Sequence, residues 1–329
     1  MRAGPPAEPA PSYCGLLPID KPAGMTSHDV VDRVRRRFRM RAVGHLGTLD
    51  PAASGLLMTA LGPATRFAPV WQSGAKTYEG AVRFGLVTST QDLQGEVLRR
   101  DDRRPSEDEI RAATRALTGE IAQVPPMVSA RRVGGERLYR LHRRGETVER
   151  AARTVTVHRW EWRRFDPLDA HFEITCSGGT YVRTLAHDLG EALGCGAALA
   201  SLRRLASEPF GIESAVPLRR LIAEPHETVW AQSGWSLERA LAHLAQLVLE
   251  PAECEDVGFG RRPEIPIERA RALPLSGGPR SVVLVDSDGA VLGLGELESA
   301  EGGGARVCPH VLLPHAVRDG RLAGGQHAL

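Results

Sequence analysis

The stretch Gly44-His45-Leu46-Gly47-Thr48-Leu49-Asp50-Pro51 sets two glycines, a histidine, a threonine and an aspartate immediately before an apolar run, Ser54 to Leu61. Glycines permit tight backbone paths, and a proline biases the residue before it toward extended backbone. A carboxylate held in such a loop can be presented rigidly to a pocket. The same residues also spell a helix start, with Asp50 as N-cap and Pro51 at the first helical position. In isolation the cap is the better reading, so the rest of the chain has to decide.

Upstream, Gly15 to Ile19 reads as a short apolar strand leading into Thr26-Ser27-His28-Asp29. There Thr26 or Ser27 can cap a helix whose Val30, Val34 and Phe38 recur at spacing four. Downstream, Tyr78 to Phe84 alternates with the two-residue period of a strand. Ser106 and Glu109 form a capping box for a helix carrying Ile110, Ala113 and Leu117, which Gly119 would end. Strand-like stretches follow at Thr154 to Trp162 and Phe172 to Cys176. Next, the turn Ser177-Gly178-Gly179 opens a helix with Val182, Leu185, Ala186, Leu189 and Leu193 on one stripe. This order predicts an α+β fold, a mixed, mainly antiparallel sheet with flanking helices, rather than repeating parallel βαβ units. Beyond Glu250 the character changes. Ser281 to Val285 and Ala290 to Leu294 flank Asp286-Ser287-Asp288-Gly289, a hairpin signal within a small β-rich domain. The expected division is a disordered tail over 1–12, a large domain over 13–249 and the β-rich domain over 250–329, with Asp319 to Leu329 frayed.

The chain has 329 residues, 42% hydrophobic and 25% charged, the composition of an ordinary soluble globular protein. No apolar run approaches the ~18 residues of a membrane span, and the Pro- and Ala-rich start lacks an apolar signal core. The expectation is a cytoplasmic protein. Its five cysteines include no CxxC pair, and its eleven histidines show no metal-ligand spacing. No metal is implied, so the chemistry must come from ordinary side chains.

Net charge is only +2, but the arginines are segregated. Val31 to Arg41 carries Arg33, Arg35, Arg36, Arg37, Arg39 and Arg41 against Asp32 alone; Arg131 to Arg164 carries eleven arginines against four glutamates. Either run alone reads as a solvated face. Two runs flanking the motifs point toward a phosphate backbone. Against this arginine bias, Lys21 and Lys76 are the only lysines. A compact ammonium on a flexible stem differs from a planar guanidinium, so both mark places where arginine does not fit.

Resemblance decides what the loop is. Gly44 through Pro51, continued by Ala52-Ala53-Ser54-Gly55-Leu56-Leu57, resembles the catalytic motif of the TruB family of tRNA pseudouridine-55 synthases. Further segments are similar to that family's motifs and fall in its order. They are Gly15 to Pro22 with Gly24 to Ser27, Lys76-Thr77-Tyr78, Gln123 to Ala130, Cys176 to Leu185, and Gly194 to Arg204. The resemblance runs from about Tyr13 to Phe210. The C-terminal domain is similar in position and strand pattern to a PUA-like RNA-binding domain.

The resemblance implies a pseudouridine synthase fold acting on uridine 55 in the T arm of tRNA. The C1'–N1 bond is broken and the uracil rejoined through carbon 5, without cofactor. It implies Asp50 as the catalytic carboxylate, with its mode of attack left open between C1', carbon 6 and the 2' proton. Arg183 is implied as the ion-pair partner that keeps Asp50 charged, the alternatives being an exposed helix-start arginine or a phosphate contact. Tyr78 matches the tyrosine that stacks on the uracil, against the plain reading of a core tyrosine. His45 matches the residue inserted where the flipped base had stacked. Lys21, Tyr181 and Leu202 complete the expected substrate-binding set. Gly179 and Arg131 stand where many members have lysine. The expected enzyme is a monomer needing no protein partner or guide RNA. The rivals are a non-catalytic tRNA-binding module and a guide-dependent synthase of the related Cbf5/dyskerin type.

Overall fold

The computed structural model describes residues 13–127, 132–133, 136–137, 144, 148–274, 281–300 and 303–313. The expected tails, Arg131 and most of the second arginine run up to 147 lie outside the described residues.

Strand β1 (Gly15–Lys21) leads to helix α1 (Ser27–Phe38), and β2 (Val43–His45) precedes β3 (Ser54–Leu61). After β4 (Lys76–Phe84) come the hairpin β5 (Leu86–Thr88) and β6 (Val97–Arg100), then α2 (Glu107–Ala116) and β7 (Gly119–Gln123). The long hairpin β8 (Arg153–Phe165) and β9 (Asp169–Cys176) is followed by α3 (Val182–Ala192) and β10 (Ala197–Ser207). One sheet runs β1-β3-β10-β4-β9-β8-β7, with Val216–Pro217 added beside β1. Its pairings are antiparallel except at that outer edge and at one internal seam, where β3 and β10 run parallel with Arg203 opposite Ser54 and Arg204 opposite Gly55. The seam joins the two halves of the sheet. Gly55 sits there at φ 100, where a Cβ would lie 2.3 Å from the Arg204 carbonyl oxygen, so only glycine lets the two backbones meet.

Burial on both faces explains the unbroken apolar runs of β1 and β3. Leu17, Ile19, Leu57 and Leu61 pack into a core that includes Val30, Val34 and Phe38 of α1 and Leu185 and Leu189 of α3. Leu16, Leu56, Met58 and Ala60 face a second core shared with Val282, Leu284, Leu292 and Val307. Those last belong to a five-stranded sheet ordered Gln246–Val248, Ser281–Val285, Val291–Ser299, Ala305–Leu312, Glu264–Ile265. The expected hairpin turn is present: the Asp286 carboxylate accepts the backbone N–H groups of Asp288 and Ala290 at 3.0 and 2.9 Å.

Of the two candidate caps for α1, Thr26 is the one used, in a reciprocal box with Asp29. Ser27 has a different task, described below. The Ser106–Glu109 box also forms. The helix-start reading of Asp50-Pro51 fails, because the chain turns at Pro51-Ala52 and enters β3 instead.

Candidate active site

The loop between β2 and β3 is tied down by its backbone. The Ser27 hydroxyl, buried at the start of α1, donates to the Leu49 carbonyl at 3.0 Å and accepts the Leu49 N–H at 2.8 Å. The Pro51 carbonyl accepts from the Gly24 N–H at 2.7 Å and from the Lys21 ammonium at 3.4 Å. Arg204, crossing from β10, donates to the carbonyls of Leu56 at 2.7 Å and Gly47 at 3.1 Å. Such a frame leaves Asp50 little freedom, which is the preorganisation that reacting groups require.

The Asp50 carboxylate meets a guanidinium 133 residues away in the chain. Arg183 Nε lies 2.8 Å from Asp50 Oδ2, and Nη2 donates to Oδ1 at 3.3 Å. The arginine side chain is 4% exposed, whereas the aspartate keeps 38% of its surface open. Arg183 is positioned by the first turn of α3 and by a third party, the Thr88-to-Gly95 turn. From that turn the Thr90 carbonyl accepts Nη1 at 2.8 Å, and the Asp92 carboxylate stands 3.7 Å away. Asp92 is in turn held by the Thr90 hydroxyl at 2.5 Å and the Gln94 N–H at 3.0 Å. Burial pushes the Asp50 carboxyl above the usual carboxylate range. Arg183 opposes that shift, Asp92 adds to it and Lys21 opposes it. The guanidinium therefore offsets part of the cost of burial.

Asp50, Arg183, Tyr78, Tyr181 and Leu202 line one cavity of about 280 Å³, together with Lys76 and Arg204. Tyr78 is buried on β4, and burial raises its phenol above 10, with Arg204 opposing. A phenol so shifted is a weak base near neutrality, so its ring face is its useful feature. Tyr181 is fixed through its backbone, donating its N–H to the Gln123 side-chain oxygen at 2.8 Å and accepting from the Gln123 amide at 3.1 Å.

Two expected substrate residues stand elsewhere. Lys21 has no exposed surface, and its ammonium donates to the carbonyls of Met25 at 2.7 Å, Pro22 at 3.0 Å and Pro51. It is a clamp beneath the loop; burial lowers its pKa to about 8. His45 ends β2 opposite Thr59 and is not among the residues lining the cavity, which begin at Leu46.

Sequence reasoning missed Asp92, Gln123 and Arg204 as site residues. Gln123 and Arg204 had a usable signal, since one opens the Gln123-to-Ala130 motif and the other ends the Gly194-to-Arg204 motif; Asp92 had none. Volume does not pick the site. A larger hollow of about 920 Å³ between α2 and β8 is lined by Arg111, Arg115, Trp160 and Trp162, but its Glu161 is spent on surface pairs with Arg159 and Arg163. Among the described residues there is no His, Cys, Asp or Glu cluster able to hold a metal, and no helix long and apolar enough to cross a membrane.

The family model for the TruB family pseudouridylate synthase N-terminal domain matches residues 35–182, and that for the tRNA pseudouridylate synthase B C-terminal domain matches residues 183–252. The chain belongs to the TruB family. A tRNA pseudouridine synthase B of Thermobifida fusca is 50% identical over 222 residues, covering 64% of this chain and 75% of that one. That of Rhizobium meliloti is 41% identical over 294 residues, 87% of this chain and 93% of its own. Among solved structures, the archaeal box H/ACA sRNP Nop10–Cbf5 complex matches with TM-score 0.69 at 25% identity, over 91% of this chain and 86% of that one. A Cbf5–Nop10–Gar1 complex matches with TM-score 0.69 at 26% identity, over 92% and 86%. The pseudouridine synthase fold expected from the motifs is thus the fold found, with its β-rich C-terminal domain. As a TruB enzyme the chain is an isomerase, and the matched span contains the Asp50 loop, Tyr78 and Arg183.

Proposed function

We propose that this chain isomerises uridine 55 in the T arm of tRNA to pseudouridine, with Asp50 as the reacting carboxylate. The observation that carries the reading is the Asp50–Arg183 pair, anchored on the arginine side and open on the carboxylate side, in a cavity that also presents Tyr78. In the reaction the C1'–N1 bond breaks and its electron pair leaves with the uracil. The electron deficiency at C1' is met either by the Asp50 carboxylate or by loss of the 2' proton. The base turns and its carbon 5 bonds to C1', which releases the Asp50 carboxylate in the first case and is accompanied by return of the proton to the 2' carbon in the second; the carbon 5 proton is then lost and N1 gains one. Atoms and electrons balance, so no cofactor has to supply either.

The flipped nucleotide loses its stacking in the arm, and the Tyr78 face returns about 1–3 kcal/mol of it. Tyr181 and Leu202 flank the base, and His45, beside the cavity, meets the T loop. The catalytic domain spans 13–249, and 250–329 forms a PUA-like RNA-binding domain. The enzyme works in the cytoplasm as a monomer, without metal, guide RNA or protein partner.

The guide-dependent reading has one observation in its favour, the likeness to Cbf5 within its complexes. Identity of 41–50% to proteins named tRNA pseudouridine synthase B favours the first reading. One assay separates them: the purified chain is incubated with unmodified tRNA transcript and pseudouridine is mapped by chemical modification. Pseudouridine at position 55 supports the proposal, and its absence until guide RNA and partner proteins are added overturns it. Asp50→Ala is expected to abolish the product while retaining tRNA binding.

A further inference from the structure

The lysine count leaves something unexplained. Of 42 basic residues only Lys21 and Lys76 are lysines. Lys21 is accounted for by three carbonyls that cage its ammonium. Lys76, 6% exposed at the start of β4, differs: it lines the cavity of Asp50 and Arg183. Its ammonium donates to the carbonyls of Gln72 and Gly74, each at 2.5 Å. Among the described residues those two bonds use two of its three N–H groups. Lys76 and Tyr78 are two residues apart on one strand, so they share a face of the sheet, and β10 sets Arg204 opposite Tyr78 and Ser207 opposite Lys76. A buried cation therefore stands next to the ring expected to carry the base, with a donor to spare. Its two carbonyl partners are neutral, and no carboxylate pairs with it among the described residues.

Breaking C1'–N1 puts a negative charge on the uracil, shared by N1 and the two carbonyl oxygens. A site that handles this charge needs a fixed donor aimed where it develops. We propose that Lys76 is a further catalytic residue, whose free N–H binds a carbonyl oxygen of the departing uracil and stabilises its anion, with no proton transferred. The proposal rests on the pseudouridine synthase reading above.

Several groups set the charge on Lys76. Arg204 from β10 opposes it, while Cys176 from β9 and Glu208, just past β10, favour it; Asp50, Tyr78 and Arg183 face it across the cavity. Burial is the largest influence and lowers its pKa to about 8. A lysine that must be protonated then gives a basic limb in the second-order rate constant near pH 8, because that constant reports the free enzyme.

The test uses the full chain and unmodified tRNA transcript, under single-turnover conditions. Lys76→Met is expected to lower the saturated rate by about 10²- to 10³-fold with tRNA affinity unchanged. Lys76→Arg is expected to keep the charge and part of the rate, and to lose the limb near pH 8, leaving only titration of the uracil itself. An undiminished rate in Lys76→Met, or a loss confined to tRNA affinity as for a phosphate contact, overturns the proposal. If Lys76→Met does not fold, the pH profiles of wild type and Lys76→Arg decide: a wild type without the limb, or a limb that persists in Lys76→Arg, overturns it. Wild type inactive on tRNA would instead remove the functional reading itself.

Discussion

The Asp50 loop and the arginine-rich stretches are both dense in functional residue types, yet the fold uses them in opposite ways. In the loop, nearly every polar group is committed: Ser27, Lys21, Gly24 and Arg204 hold its backbone, and Arg183 holds its carboxylate. In the stretches, much of the charge is spent on structure. On α1, Arg35 donates to Asp32 and the Val43 carbonyl, and Arg37 to the Glu224 carbonyl, leaving Arg36, Arg39 and Arg41 exposed. On β8, Arg159 and Arg163 pair with Glu161 and Glu173, and Arg164 with Asp166. Cation density in a sequence therefore overstates cation availability. The cations that line the Asp50 cavity, Lys76, Arg183 and Arg204, are buried and fixed in position.

The comparison can be broken most sharply at Arg183. Its replacement by glutamine should lower the saturated rate by about 10²- to 10³-fold. It should also move the acid limb of the pH profile upward: burial already raises the Asp50 carboxyl, Arg183 opposes that rise, and without the guanidinium protonation persists to higher pH. Rates measured from pH 4 to 8 check both, and an acid limb that stays put or moves down would show that the guanidinium does not tune the carboxylate.

A smaller effect is expected at the seam. Gly55→Ala forces a Cβ against the Arg204 backbone at positive φ and should cost on the order of 3 kcal/mol of stability, read from the denaturant midpoint. A shift of only a few tenths would mean the two halves of the sheet are not locked there.

The smallest effects test the surface. Converting Arg36, Arg39 and Arg41 together to glutamine should weaken tRNA binding and reduce the salt slope by roughly one unit for each phosphate no longer neutralised. Converting Arg159 and Arg163 should leave the slope unchanged, because their charge is already matched by Glu161 and Glu173. Equal slopes for both variants would contradict the division between free and committed arginines.

How much of this could be read from the sequence depends on whether a signal is local. The capped helices, the Tyr78 strand and the 286–289 turn were legible because each is encoded within a few residues. The Ser54-to-Leu61 run was legible as apolar, but its identity as a two-faced strand was not, since that follows from cores on both sides. In the site, the motif resemblance brought forward Asp50, Tyr78, Arg183, Tyr181 and Leu202, which the fold gathers in one cavity. It grouped Lys21 with the substrate residues, whereas the fold turns its ammonium onto the carbonyls beneath the loop, because a motif marks a residue without saying which way it faces. It passed over Asp92 and Arg204, whose roles exist only once a turn and a neighbouring strand have been brought against the loop.

The central claim is that the held loop does the chemistry while binding lies with other groups. The most direct measurement is single-turnover pseudouridine formation by Asp50→Asn at saturating tRNA, beside its tRNA dissociation constant. The claim predicts loss of more than about 10³-fold in rate with the dissociation constant within about twofold of wild type, a difference of no more than ~0.4 kcal/mol. Appreciable turnover by the variant, or a loss explained by weaker binding, would contradict it.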